Sequence, residues 1–261
     1  MIVARVDDDS DGADLRKGAR EQVVACEHHD AFAGELCAKP ARIAVLQLDA
    51  ERPSAAREIL RRLAAARCET PLLLRCGLHH HRALQELPLY AAAYPHVRDS
   101  FREHDDLTHR IAKDSFEQPH TATIPVLARV APHLKRLPPD AVTAFVGSLA
   151  AGERRVSASW LSARLGRSAK WLRDSAKLAG MPAYDARMGT ILIAHCVWWR
   201  EKLGFDWKGA AGRAGYDDVR ALEERAHRLF KMSLNAMLRG GAFEVVLQRI
   251  EEWLRRSNPA G

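Results

Sequence analysis

The stretch WLSARLGRSAKWLRDSAKLAG, residues 160–180, has the form of a short helix, a glycine-centred turn and a second helix carrying several cations. Ser157 or Ser159 can cap the first helix, which holds Trp160, Leu161, Ala163 and Leu165. Gly166 supplies the turn and Ser168 can cap the second helix, where Trp171, Leu172, Ser175, Ala176 and Ala179 form an inward, small-residue face. Lys170, Arg173, Asp174 and Lys177 then lie largely outside that face. Residues 153–178 carry seven cations against two anions, a balance that draws a helix pair toward phosphates.

Working outward, a long apolar helix is expected from about Ala186 to Leu203, with Ile191, Leu192, His195, Trp198 and Trp199 as its bulk. His195 and Cys196 read as packing residues rather than metal ligands. WKGAAGRAGY, 207–216, repeats the logic of the first turn with Gly215 at its end, and DDVRALEERAHRLF, 217–230, starts with an acidic turn suited to a helix amino terminus. Residues 206–231 hold six cations and five anions, so the second pair has the weaker non-specific grip. Two helix pairs separated by a long helix can present two helices to successive major-groove faces, roughly 34 Å apart. Upstream, Pro138 and Pro139 open PPDAVTAFVGSLAAG with proline in the first turn and glycine past the last, and IPVLARVAPHLKRL before it reads as a connector. Downstream, GAFEVVLQRIEEWLRR, 241–256, is amphipathic, with Phe243, Val246, Leu247, Ile250, Trp253 and Leu254 on one face.

On these residues, 138–238 resemble the AraC-type double helix-turn-helix domain of bacterial transcription regulators. The first half of the pattern falls on Leu161, Leu165, Gly166, Ser168, Leu172, Lys177, Gly180 and Met181, and the second on Ala210, Ala211, Gly215, Tyr216, Leu222, Phe230 and Ser233. The resemblance implies seven helices, with the third and sixth reading adjacent major grooves. It places the groove-facing positions on Ala169, Lys170, Arg173 and Asp174, and on Val219, Arg220, Glu223 and Glu224. Lys170, Arg173 and Arg220 then search base edges, while Arg154, Arg155, Arg164, Arg167, Lys177, Arg213 and Arg228 hold the sugar-phosphate backbone. Asp174 and Glu224 stand where many members carry arginine; carboxylates accept from cytosine N4 but repel nearby phosphates.

The amino half alternates short apolar runs with helical periodicity. MIVARV, EQVVAC (21–26), ARIAVLQLD (41–49), PLLLRC (71–76) and HVRDSF read as strands, and HHDAFAGEL, SAAREILRRLAAAR and GLHHHRALQELPLYAAAY as helices, which implies a mainly parallel sheet covered on both faces. Residues 1–116 resemble the receiver domain of response regulators, a flavodoxin-like α/β fold. The resemblance puts the phosphoacceptor on Asp49 and a Mg²⁺-binding acidic pair on two of Asp7, Asp8 and Asp9, with Mg²⁺ needed if the domain is phosphorylated by a cognate kinase. The hydroxyl residue of the pattern falls near Cys76 and its lysine near Asp99, with Ser100 and Phe101 replacing a Pro-Phe step, so the expectation is a pseudo-receiver that dimerises or senses another signal. His79, His80 and His81 after Cys76, and His28 and His29 near Cys26, permit a metal or redox sensor, although adjacent histidines cannot all face one ion.

Composition sets the limits. The chain has 261 residues, 47% hydrophobic and 28% charged, which suits folded domains. Its charge of +7 is unevenly spread: residues 1–120 hold 17 cations and 20 anions, residues 121–261 hold 23 and 13. That asymmetry favours a basic module carried by a near-neutral partner. Five irregularly spaced cysteines, no cationic segment followed by an apolar run at the amino terminus, and no run near 20 apolar residues point away from a disulfide framework, secretion and membrane spanning, and toward the cytoplasm. Gly-rich phosphate loops and nucleophile motifs are not legible, so no enzyme is expected. The sequence reading is therefore a receiver-like domain over 1–116, a helical linker over 117–137, an all-α double helix-turn-helix domain over 138–240 and a terminal amphipathic helix over 241–261. It describes a homodimeric, sequence-specific regulator of double-stranded DNA. The alternatives are an adaptor of the same fold without specific DNA reading, or a response regulator switched at Asp49.

Overall fold

Residues 2–5, 23–26, 29–39, 41–48, 53–101 and 121–256 are described by a computed structural model. They fall into two units, Met1–His120 and Thr121–Gly261.

In the amino unit, five short strands pair in parallel in the order β2-β1-β3-β4-β5: β1 (Ile2–Arg5), β2 (Val23–Ala25), β3 (Ile43–Gln47), β4 (Leu72–Arg75) and β5 (Val97–Phe101). The central two are continuous apolar runs, IAVL and LLL, as burial on both faces requires; Ile43 to Leu46 and Leu72 to Leu74 are all buried. Three helices accompany them, α1 (His29–Ala38), α2 (Pro53–Ala65) and α3 (His81–Ala93). The register between β4 and β5 slips between Leu72 and Leu73. The buried Tyr94 hydroxyl, shared between the Cys68 and Thr70 carbonyls at 3.0 and 2.9 Å, ties the end of α3 to the turn before β4, and burial drives its pKa far up.

The expected receiver-like, flavodoxin-like fold class requires correction. The chain is mostly helical, with twelve helices among the described residues, and its small parallel sheet does not amount to a full receiver-like α/β domain. The physical reason lies in the length of the apolar runs. Arg5 and Arg75 close the β1 and β4 runs after three apolar residues, and the described strands span only three to five residues each. The intervening Ala, Leu, Arg and Glu-rich segments are strong helix formers. Asp7, Asp8, Asp9 and Asp49, on which the phosphoacceptor and Mg²⁺ reading rests, lie outside the described residues, as does His28.

The carboxyl unit is helical throughout: α4 (Thr123–Leu134), α5 (Pro139–Ala151), α6 (Ala158–Arg164), α7 (Ala169–Leu178), α8 (Tyr184–Lys202), α9 (Trp207–Arg213), α10 (Val219–Phe230), α11 (Leu234–Arg239) and α12 (Ala242–Arg256). The central α8 is buried from Arg187 to Trp199 and packs against α5, α9, α10 and α12. Segment 124–137, read as a connector, supplies α4, which lies against α12; Arg129 bridges to Glu251 at 2.7 Å and Glu244 at 3.2 Å. His195, fully buried in α8, accepts from the Ala122 N–H through Nδ1 at 3.1 Å, while its Nε2 lies 3.4 Å from the Leu149 carbonyl. Its ring thereby fixes the start of α4 and the end of α5 on α8. Gly152 permits α5 to close on α8, because a Cβ there would stand 2.2 Å from Ile191.

Candidate nucleic-acid interface

Two short helix pairs flank α8 in sequence, and their backbones repeat. In the first, Gly166 has φ +62° and its N–H bonds the Ala163 carbonyl at 3.0 Å, while Arg167 N–H bonds the Ser162 carbonyl at 2.9 Å. In the second, Gly215 has φ +79°, its N–H bonds the Gly212 carbonyl at 3.1 Å, and Tyr216 N–H bonds the Ala211 carbonyl at 3.0 Å. Both helices thus end in the same left-handed glycine cap, a conformation that disfavours any residue with a Cβ. Each following helix is then started by a side-chain cap: the Ser168 hydroxyl accepts from Trp171 N–H at 3.1 Å, and the Asp218 carboxylate from Ala221 N–H at 2.8 Å. Of the two serines offered for the first helix, Ser157 is the cap, accepting from Trp160 N–H at 3.1 Å.

The side chains repeat as well. Lys170 is the second residue of α7 and Asp174 the sixth; Arg220 is the second of α10 and Glu224 the sixth. Both pairs are ion-paired along the helix, Lys170 Nζ to Asp174 at 2.7 Å and Arg220 Nε to Glu224 at 3.0 Å. All four are open to solvent, with side-chain exposures of 77%, 52%, 85% and 66%. Lys170 foremost, with Arg173 and Lys177 adding to it, holds the Asp174 carboxyl below the usual carboxylate range. Arg173 is 72% exposed, and Ala169 at the helix start is exposed too. Val219, its counterpart on α10, is half-buried. Glu223 serves the fold rather than the open surface, since both of its carboxylate oxygens accept from the Leu234 N–H at 3.2 Å, fixing α11 to α10.

Among the cations assigned to the DNA backbone, Arg154, Arg155, Arg164, Arg167, Lys177 and Arg228 are exposed. Arg164 stacks over Trp160 and Arg167 over Trp171, each with the guanidinium carbon 5.5 Å from the ring centroid, so both are held by aromatic faces as well as by charge. Arg213 is half-buried, 5.0 Å over Trp199 and 5.6 Å over Phe205. Arg155 lies 6.0 Å from the Tyr216 ring, and its N–H bonds the Ala214 carbonyl at 3.3 Å, joining the approach to the first pair to the turn of the second. With Arg225, Arg228 and Glu224 it lines a cleft of about 350 Å³ beside α10.

Three residues beside this surface were not identified from sequence, and two of them position it. Asp140, at the start of α5, accepts from the Trp171 indole N–H at 3.1 Å and so orients α7. Arg225 of α10 grips both carboxylate oxygens of Asp185 on α8, at 2.8 and 2.9 Å, and its backbone carbonyl at 2.6 Å. Gly189 gives that guanidinium its path, since a Cβ there would come within 2.3 Å of Arg225 Nε. The third is Arg187, buried in α8. The Asp140 and Arg225 pairings span 31 and 40 residues, so no local periodicity marks them; an aspartate in the first turn of each helix was the nearest sequence signal.

His79 and His80 stand edge to face with ring centroids 4.1 Å apart, and no group of three or more His, Cys, Asp or Glu able to hold a metal occurs among the described residues. No described helix is long and apolar enough to cross a membrane. No family model, curated protein or solved structure matches the chain.

Proposed function

We propose that the carboxyl unit binds double-stranded DNA sequence-specifically, as a transcription regulator does, inserting α7 and α10 into successive major-groove faces. The observation that carries this reading is the duplicated helix pair, which repeats the glycine cap, the side-chain cap and an exposed cation at the same position of the second helix. The excess of basic residues in 121–261 supports it, since phosphate neutralisation supplies most of the non-specific affinity of such proteins. So does the AraC-type pattern, for residues 139–239 hold seven helices of which α7 is the third and α10 the sixth. Lys170, Arg173 and Arg220 reach base edges, guanine O6 and N7 being the natural partners of lysine and arginine. Arg154, Arg164, Arg167 and Lys177 grip phosphates.

The test is selection of a preferred duplex by the full chain, followed by titrations of that duplex and a scrambled one at two salt concentrations. Arg173→Ala should lose about 1–3 kcal/mol on the selected duplex and much less on the scrambled one. Arg167→Ala should weaken both equally and lower the salt slope by about one. Equal losses on both duplexes for Arg173→Ala remove its base-reading role. Failure of the selection to enrich any duplex replaces the regulator with a protein-binding adaptor.

A further inference from the structure

A cavity of about 420 Å³ lies behind the first helix pair, between α7 and the start of α8, within the size range of small-molecule sites. Its wall is mainly apolar, with Leu172 and Ala176 from α7 and Met181 from the turn; three cations also line it, Arg187 of α8 and the exposed Arg173 and Lys177 of α7. Arg187 is only 1% exposed, and its Nε, Nη1 and Nη2 are all buried without a hydrogen-bond partner. Its close neighbour is the Tyr184 ring, 5.6 Å from the guanidinium carbon. Burial lowers its pKa to about 10, which still leaves the side chain charged at neutral pH. A buried guanidinium whose donors are unused carries a large desolvation cost, relieved by an anion of matching geometry. A carboxylate matches the planar fork with two parallel bonds, and an attached hydrocarbon body matches the rest of the wall. Compact inorganic anions satisfy the charge but leave the apolar wall without a partner. Duplex phosphates remain outside, because so little of Arg187 reaches the surface.

We propose that this cavity binds a small organic carboxylate, its head on the Arg187 guanidinium and its hydrocarbon body against Leu172, Ala176 and Met181. The site stands whether or not the chain binds DNA. Calorimetric titration of the full chain with hexanoate and octanoate, against hexanamide and inorganic phosphate, tests it. Saturable binding of the carboxylates, with hexanamide and phosphate at least about tenfold weaker, is expected. Arg187→Met should abolish that binding while melting no lower than the parent, since it removes an unpaired buried charge. Ala176→Leu, which keeps Arg187 and puts three more carbons into the cavity, should weaken binding, with circular dichroism confirming the fold. Flat carboxylate titrations, equal binding of hexanamide or phosphate, retained binding in folded Arg187→Met, undiminished binding in folded Ala176→Leu, or a marked loss of melting temperature in Arg187→Met each overturn the proposal.

Discussion

Lys170 and Arg220 are each ion-paired with a carboxylate one helical turn along, Asp174 and Glu224, so on the proposed duplex neither would act as a bare cation. Exposed pairs of this kind contribute little to stability, so in the proposed complex their effect falls on recognition: the carboxylate repels phosphates and accepts only from base amino groups, cytosine N4 foremost. Asp174→Asn should therefore tighten binding to a scrambled duplex, steepen the salt dependence and erase any cytosine preference opposite α7. Paired titrations on duplexes differing at that base check all three, and unchanged selectivity would place Asp174 outside the groove. The Arg225–Asp185 clamp sets a second residue-level expectation. Arg225, the largest influence, holds the Asp185 carboxyl below its ordinary range, so the clamp's contribution is complete above that range and fades as pH falls through the depressed value. Thermal midpoints of the parent and Asp185→Ala should differ at neutral pH, and the gap should narrow progressively as pH falls below the ordinary carboxylate range. No gap at neutral pH would mean that the Arg225 bond to the Asp185 backbone carbonyl, which the alanine variant keeps, carries the contact. Exposed candidates such as Arg173 were legible in the sequence because helical spacing sets them opposite an apolar face. Arg187 was not, because nothing local distinguishes a cation that packs inward from one that faces water.

The helices were the most legible elements, since their ends are set by local chemistry. Pro139 at the first turn of α5, Ser168 before α7 and Gly215 after α9 act within a few residues, and the structure uses each at an element boundary. The extent of the sheet was less legible, because short apolar runs next to arginine look alike as long or truncated strands. Two helix ends depart from the usual chemistry: Arg67 follows α2 at φ +52°, and α10 stops at Lys231, which adopts φ +58° with its N–H on the His227 carbonyl at 2.8 Å, where Gly166 and Gly215 serve other helices. A side chain in that region costs about 1 kcal/mol, so Lys231→Gly should raise stability by roughly 0.5–1 kcal/mol despite the freer unfolded chain. Chemical denaturation of both proteins measures the difference; a loss would show that the lysine side chain stabilises the turn by more than its backbone strain.

At the scale of the molecule, two units share one chain, and the carboxyl unit is completed by its last described helix. Ala242, Phe243, Val246, Leu247, Ile250 and Leu254 of α12 are buried against α4 and α8, with the Phe243 and Trp198 rings 4.9 Å apart. Six buried apolar side chains at about 1.5–3 kcal/mol for each large one rival the whole stability of a domain. A chain ending at Arg239 should therefore lose the helical signal of its carboxyl unit in far-ultraviolet circular dichroism. A truncated chain that retains the parent's melting would reduce α12 to an accessory. The boundary between the two units was foreshadowed by the shift in charge and by the end of strand-like runs before Pro119, whereas the pairing of α4 with α12 was not, because amphipathic helices do not encode their partners. That pairing has a consequence for biosynthesis. Translation delivers α4 over a hundred residues before α12, so on the ribosome the nascent unit keeps a sticky, unsealed flank until Arg256 has emerged, an aggregation hazard confined to elongation.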